Sequence, residues 1–226
     1  MGLEGEALTR VQRTSRVGKT SSERRNRKLQ YLGAAAAGIA HDLNNELMLV
    51  VNYLEAGNRN ETRAAAERCV ALTGSILEFC REQSVSTGDV DAANFLRQFC
   101  QNLQLPGGVH LELDTVAAPP IQADTLALRR VISNLVRNAC DAMRGVGTLR
   151  LTSGPDGLTV VDSGPGVQPE LARKIFQPFF STKGGRGSGL GLATVHELMR
   201  LQGGSVTLLP ARNGGACFLL RFQDWN

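Results

Sequence analysis

Aromatic residues make up only 5% of this 226-residue chain, and long apolar runs are missing from it. The longest strongly apolar stretch, 47–51, falls far short of the roughly 20 residues that a membrane-spanning helix requires. The opening residues, Met1-Gly2-Leu3-Glu4-Gly5-Glu6, set acids and glycines where a secretory signal needs an apolar core. Glu6 stands where a myristoylation signal carries Ser or Thr. A cytoplasmic location is the expectation. Cysteine is sparse and scattered: Cys69, Cys80, Cys100, Cys140 and Cys217 form no C-x-x-C pair and have no neighbouring histidines. That odd set argues against a zinc site and a disulfide framework, leaving small apolar thiols of a reduced protein. A basic face on the folded body is lacking too. The formal charge is +4, but residues 1–30 hold eight Lys or Arg against three Glu, whereas 31–226 hold seventeen bases against eighteen acids. The excess belongs to a basic N-terminal tail, read over 1–23, and nucleic acid is not an expected partner.

What the chain does have is periodicity. Leu29, Leu32, Ala36, Ile39, Leu43, Leu47, Val50 and Leu54 recur at spacings of three and four, which predicts a helix over about 24–56 with one narrow apolar seam. Gly57-Asn58-Arg59-Asn60 breaks it, and Ala65, Cys69, Leu72, Ile76 and Phe79 set out a second helix ending near 83. Two seamed helices cannot enclose a core alone. Residues 24–84 are therefore predicted to form a homodimer, two hairpins making a four-helix bundle. Residues 85–89 read as a linker, after which the pattern over 90–226 becomes mixed α and β. Helices are expected over 94–103, from a cap at Asp124 to about 143, and over 190–202. Strands are expected over 109–113, 148–153, 158–162, 206–209 and 217–222, giving an α/β sandwich behind the helical hairpin.

Several residues in this frame suit phosphoryl chemistry. His41 falls two positions past the seam residue Ile39, facing outward, with Asn45 one turn later on the same face and Asp42 beside it. A carboxylate there can orient the ring or accept its proton while a ring nitrogen attacks phosphorus. In 134–142, Asn134 and Asn138 share a helix face at the edge of the stripe Val131, Leu135 and Ala139, and amide oxygens suit a hard cation. Asp162-Ser163-Gly164-Pro165-Gly166 ends an apolar strand with a carboxylate that can accept from an exocyclic amine, and glycines that let a planar base approach. Gly187-Ser188-Gly189-Leu190-Gly191-Leu192 opens a helix with amides to offer a phosphate, and Lys183 and Arg186 precede it with positive charge. Each signal alone also fits a bland reading: a surface histidine, helix-face amides, a tight turn, a glycine loop.

Taken in order, these segments resemble the bacterial two-component sensor histidine kinases. Gly38-Ile39-Ala40-His41-Asp42-Leu43-Asn44-Asn45 resembles their H-box and 134–142 the N-box. Residues 162–166 are similar to the G1-box, Phe176-Gln177-Pro178-Phe179-Phe180 to the F-box and 187–192 to the G2-box. The likeness covers about 30–222, a dimerization and histidine phosphotransfer hairpin followed by a catalytic ATP-binding domain of the Bergerat type. It implies that His41 accepts a phosphoryl group from ATP with Asp42 as the acid/base beside it. Asn45 matches a position that helps dephosphorylate the partner. Asn138 is implied as the Mg2+ ligand, Asn134 as a phosphate contact, and Asp162 as the adenine reader with Gly164 and Gly166 in the adjacent loop. Gly187, Gly189 and Gly191, with Leu190 between them, match the lid hinge, and Lys183 adds charge to it. The implied partner is the receiver domain of a response regulator, and an upstream sensor protein is one source of input. Glu46 departs from the proline that many relatives carry five residues after the histidine, which puts a helix kink there in question. Two other readings stay open: a noncatalytic phosphotransfer scaffold with a vestigial ATP domain, and a related ATPase or serine kinase of the Bergerat group.

Overall fold

The computed structural model describes residues 3–81, 84–183, 187–210 and 214–222, with backbone alone for 3–25 and 27. The chain divides into two compact units, one of 1–82 with the loop 183–188, the other of 83–182 with 189–226. No helix among the described residues is long and apolar enough to cross a membrane.

The first unit is a helical hairpin of α1 (Leu3–Glu55) and α2 (Arg59–Cys80). α1 begins about twenty residues before the expected start near 24, because 3–23 contain no proline and a helix once nucleated propagates cheaply. Asn58 opens α2 by accepting the Glu61 backbone N–H on its side-chain oxygen at 3.3 Å. Near the open end of the hairpin, the Lys28 ammonium donates to the Arg81 carbonyl at 3.1 Å and lies over the Phe79 ring. The single seam of the sequence splits into two stripes. Leu32, Ile39, Leu43 and Val50 are half-buried, whereas Leu29, Ala36, Leu47 and Leu54 are exposed.

In the second unit, β1 (Gly88–Val90) pairs antiparallel with β3 (Ile121–Ala123), and α3 is Ala92–Gln101. A five-stranded sheet takes the order β2-β4-β5-β7-β6, built from β2 (Gly108–Thr115), β4 (Val146–Gly154), β5 (Gly157–Asp162), β6 (Ser205–Leu209) and β7 (Cys217–Arg221). β2 and β4 run parallel, His110 opposite Thr148, and the remaining pairs are antiparallel. α4 (Thr125–Ala142) and α5 (Gly191–Leu201) pack on each other and on the sheet. Alternation places Leu149 and Leu151 of β4 and Leu158 and Val160 of β5 in the core, against Leu128, Ile132 and Leu135 of α4 and Leu198 and Met199 of α5. Full burial of each such side chain contributes about 1.5–3 kcal/mol. β1 and β3, three residues each, escape sequence reading because so short a run carries no period.

Candidate functional site

On α1 the His41 side chain is 73% exposed, between half-buried Ile39 and Leu43. Its Nδ1 lies 3.2 Å from the Asn45 amide nitrogen and 3.5 Å from Oδ1 of Asp42. The two contacts are alternatives at Nδ1: a protonated Nδ1 donates to Asp42, whereas an unprotonated one accepts from the Asn45 amide. When Asp42 draws the proton on Nδ1, the lone pair resides on Nε2 and the ring is a nucleophile. One turn on, Glu46 is tied across the hairpin, accepting from Arg68 Nε at 2.8 Å with only 12% of its side chain exposed. Where a proline would loosen α1, this residue instead fastens it to α2.

In the second unit, Asp124 starts α4 by accepting the Ala127 N–H at 2.9 Å on Oδ1 and the Ser86 N–H at 2.8 Å on Oδ2. Burial pushes its carboxyl up, but the N–H donors of Ser86, Ala127 and Leu126 and the charge of Arg130 outweigh that and hold it below the ordinary carboxylate value. The cap fixes the phase of α4. That phase buries Asn134 beside Leu135 and leaves Asn138 half-buried one turn on. Asp162, at the end of β5, is 6% exposed, and its Oδ1 accepts from the N–H groups of Gly164 at 2.8 Å and Ala216 at 3.2 Å. Burial raises its pKa, against those two hydrogen bonds. Both bonds fall on Oδ1, so Oδ2 retains its capacity to accept from a ligand. The floor of this pocket is glycine by necessity: a Cβ on Gly215, at φ +81°, would stand 1.8 Å from the Asp162 carbonyl oxygen. Gly164 and Gly166 line the same loop, and a Cβ on Gly164 would meet Oδ1 of Asp162 at 2.9 Å.

The glycine-rich loop leads into α5, whose N-cap residue, Leu190, is buried and offers no side-chain hydrogen bond. The first amides of α5 are thus left uncapped by a side chain, an arrangement suited to anions. Gly189, at φ +64°, touches backbone of the F-box segment, where a Cβ would come within 2.5 Å of the Phe179 carbonyl carbon. Phe179 is itself at φ +65° and donates its N–H to the Gly189 carbonyl at 3.1 Å. A bulky residue in the left-handed region is held there by its surroundings. A methyl group on Gly191 would lie 3.4 Å from Oδ1 of Asn134, 3.6 Å from Nδ2 of Asn138 and 3.7 Å from Nη2 of Arg137. The N-terminus of α5 and the polar edge of α4 therefore face one space. Lys183 and Gly187 flank 184–186, Arg186 among them, which lie outside the described residues.

Residues 123–226 match the histidine kinase-, DNA gyrase B- and HSP90-like ATPase family. Sensor histidine kinase ZraS of Escherichia coli O157:H7 is 30% identical over 222 residues, covering 87% of this chain and 47% of ZraS. Over most of its length the chain is similar to the sensor histidine kinases. It spans about half the length of the curated relatives it matches. Its fold is that of solved histidine kinases. The crystal structure of ThkA in complex with response regulator protein TrrA has a TM-score of 0.72 at 21% identity, covering 91% of this chain and 65% of that one. Full-length ShkA in complex with AMPPNP has a TM-score of 0.61 at 24% identity, covering 85% and 45%.

In this histidine kinase homologue a buried carboxylate with a remaining acceptor oxygen, glycines that leave room for close approach, and uncapped helix amides lie in one unit, a set whose chemistry suits a nucleotide. Among the described residues no group of three His, Cys, Asp or Glu side chains is placed to hold a metal ion. Asn138, half-buried on α4, carries an amide oxygen, a hard donor of the kind that suits Mg2+ held largely by phosphates and water. Sequence reading missed Gly215, Arg137 and the Glu46–Arg68 pair. Gly215 follows a glycine in Gly214-Gly215-Ala216, a signal that was present; the partner of Glu46 lies 22 residues away and left none.

Proposed function

We propose that this chain is the kinase core of a two-component system, phosphorylating His41 from Mg-ATP and passing the phosphoryl group to an aspartate of a response regulator's receiver domain. The observation that carries the reading is the imidazole itself: exposed, with Nδ1 within reach of both Asp42 and Asn45. In the transfer, Nε2 of His41 attacks the γ-phosphorus, an N–P bond forms, the bond to the β–γ bridging oxygen breaks, and ADP leaves with those electrons. Asp42 takes the Nδ1 proton and so prevents a doubly protonated ring from opposing the attack. Asp162 reads the adenine amine through Oδ2, Gly164 and Gly166 shape its loop, and Gly187, Gly189, Leu190 and Gly191 with Lys183 form the hinged cover over the phosphates. Asn138 would hold magnesium, which when bound neutralises phosphate charge and favours displacement at the terminal phosphorus.

The hairpin over 24–84 is proposed to dimerise through the exposed stripe of Leu29, Leu47 and Leu54 on α1 with Val70 and Leu77 on α2, a surface one copy does not cover. The complex of ThkA with TrrA supports a receiver domain as the partner class. Asn45, hydrogen-bonded to the acceptor ring, is proposed to position water when the phosphorylated regulator is dephosphorylated, and a separate sensor protein to supply input.

The test is incubation with γ-labelled ATP and magnesium. Label on the wild type that is acid-labile and alkali-stable, and absent from His41→Ala, is the expected result. Label persisting in His41→Ala, or no label with nucleotide bound, would refute the phosphoacceptor role.

A further inference from the structure

Arg137 has no part in the roles above, yet it stands at the polar end of the nucleotide pocket. Its Nη2 donates to Oδ1 of Asn134 at 2.5 Å, and Nδ2 of Asn134 donates to the Arg130 carbonyl at 3.1 Å. These two partners fix the amide's orientation, since a guanidinium needs an acceptor and a carbonyl needs a donor. Asn134 is only 9% exposed, so its amide is engaged within the protein and is poorly placed to reach a phosphate. The Arg137 guanidinium is in the opposite position. The residue is exposed, Nη2 lies 3.7 Å from where Gly191 would carry a Cβ, and Gly191 is the first residue of α5.

A full positive charge thus shares a small space with the amide end of an 11-residue helix that has no side-chain cap. Both features attract anions, and each opposes the other until an anion arrives. The neutral oxygen of Asn134 aims the guanidinium without neutralising it. One N–H of five is used in that contact, and the planar fork retains donors matched to a pair of phosphate oxygens.

We propose that Arg137 is a phosphate-contacting residue of the ATP site and that Asn134 is a positioning residue that aims it. The proposal rests on the reading of this unit as an ATP-binding domain. It moves the phosphate contact implied by the family resemblance from Asn134 to the next turn's Arg137.

Calorimetric titration of the full chain tests this with Mg-ATP and with adenosine, which lacks phosphates. Arg137→Gln is expected to weaken Mg-ATP roughly ten- to hundredfold, the range for one charge-assisted contact, while adenosine affinity stays the same. Arg137→Lys keeps the charge without the fork and falls between. Asn134→Ala weakens Mg-ATP severalfold alone and adds nothing in the Arg137→Gln background, a coupling that a merely structural asparagine would not show. Thermal melts of each variant accompany the titrations and separate any loss of fold from loss of the phosphate contact. Mg-ATP bound by Arg137→Gln as tightly as by wild type would overturn the proposal, as would equal losses for Mg-ATP and adenosine. Wild type that binds neither compound would defeat the nucleotide site as a whole. Wild type that binds Mg-ATP but leaves His41 unlabelled would defeat only the phosphoacceptor reading, and the affinities would still decide on Arg137.

Discussion

The hairpin and the sandwich solve the burial problem in different ways. Among the described residues of the hairpin only Ala65 and Phe79 are buried, while Leu54, Val70 and Leu77 are each about two-thirds exposed, at 66%, 70% and 68%. The sandwich closes on itself: Leu128, Ile132, Leu149, Leu151, Leu158 and Leu220 are all completely buried. A nucleotide pocket needs atoms held to fractions of an ångström, and the closed core supplies that rigidity to Asp162 and the N-terminus of α5. The proposed phosphoacceptor, His41, needs accessibility, and the hairpin provides it while leaving apolar surface that one copy does not cover.

The contrast breaks most visibly in the cores. Leu135→Ala, at a residue 1% exposed, is expected to cost about 2–5 kcal/mol in chemical denaturation, at any protein concentration. Leu54→Ala should cost under about 0.5 kcal/mol in a dilute monomer, and its effect should grow as concentration rises. Concentration-independent behaviour of Leu54→Ala would show that the stripe has no partner copy. Next in size is the cap of α4. Asp124→Ala is expected to cost about 1 kcal/mol. The folded pKa of Asp124 is depressed, so its contribution is complete above the ordinary carboxylate value and disappears as the pH falls through the lower folded value. Wild type and Asp124→Ala melts should therefore converge at low pH; a constant gap would reject the cap. A link of similar size or less joins α1 to α2 at Glu46. Glu46→Gln should cost about 1 kcal/mol or less by denaturation, since Arg68 is 40% exposed and solvent screens the pair.

Much of this was legible in the sequence, for reasons that differ by element. Asp124 reads as a cap because a short carboxylate before an apolar stripe has one common use, and the structure places it there. The strands of the sheet read well where side chains alternate, as along β5. β1 and β3 were invisible because their pairing joins residues more than thirty positions apart. The apolar seam of α1 was visible, but its division between α2 and an outer stripe was not, because a period of three and four says which residues lie together and not which neighbour covers them. At the site, Asp162, Asn138 and the glycines stood out through motif order. Arg137 did not, because its meaning comes from the approach of α5.

The sequence by itself determined the order of elements, the exposed histidine with its carboxylate and amide neighbours, and the glycines that only close backbone approach explains. Those are local properties, written in periodicity and in what a missing Cβ permits. The tertiary structure decided that Gly215 lies against the Asp162 carbonyl, that Glu46 pairs with Arg68, and that Arg137, held by Asn134, faces the first turn of α5. Each joins residues far apart in the chain or through a neighbour that no local pattern specifies, and only packing brings them within contact distance.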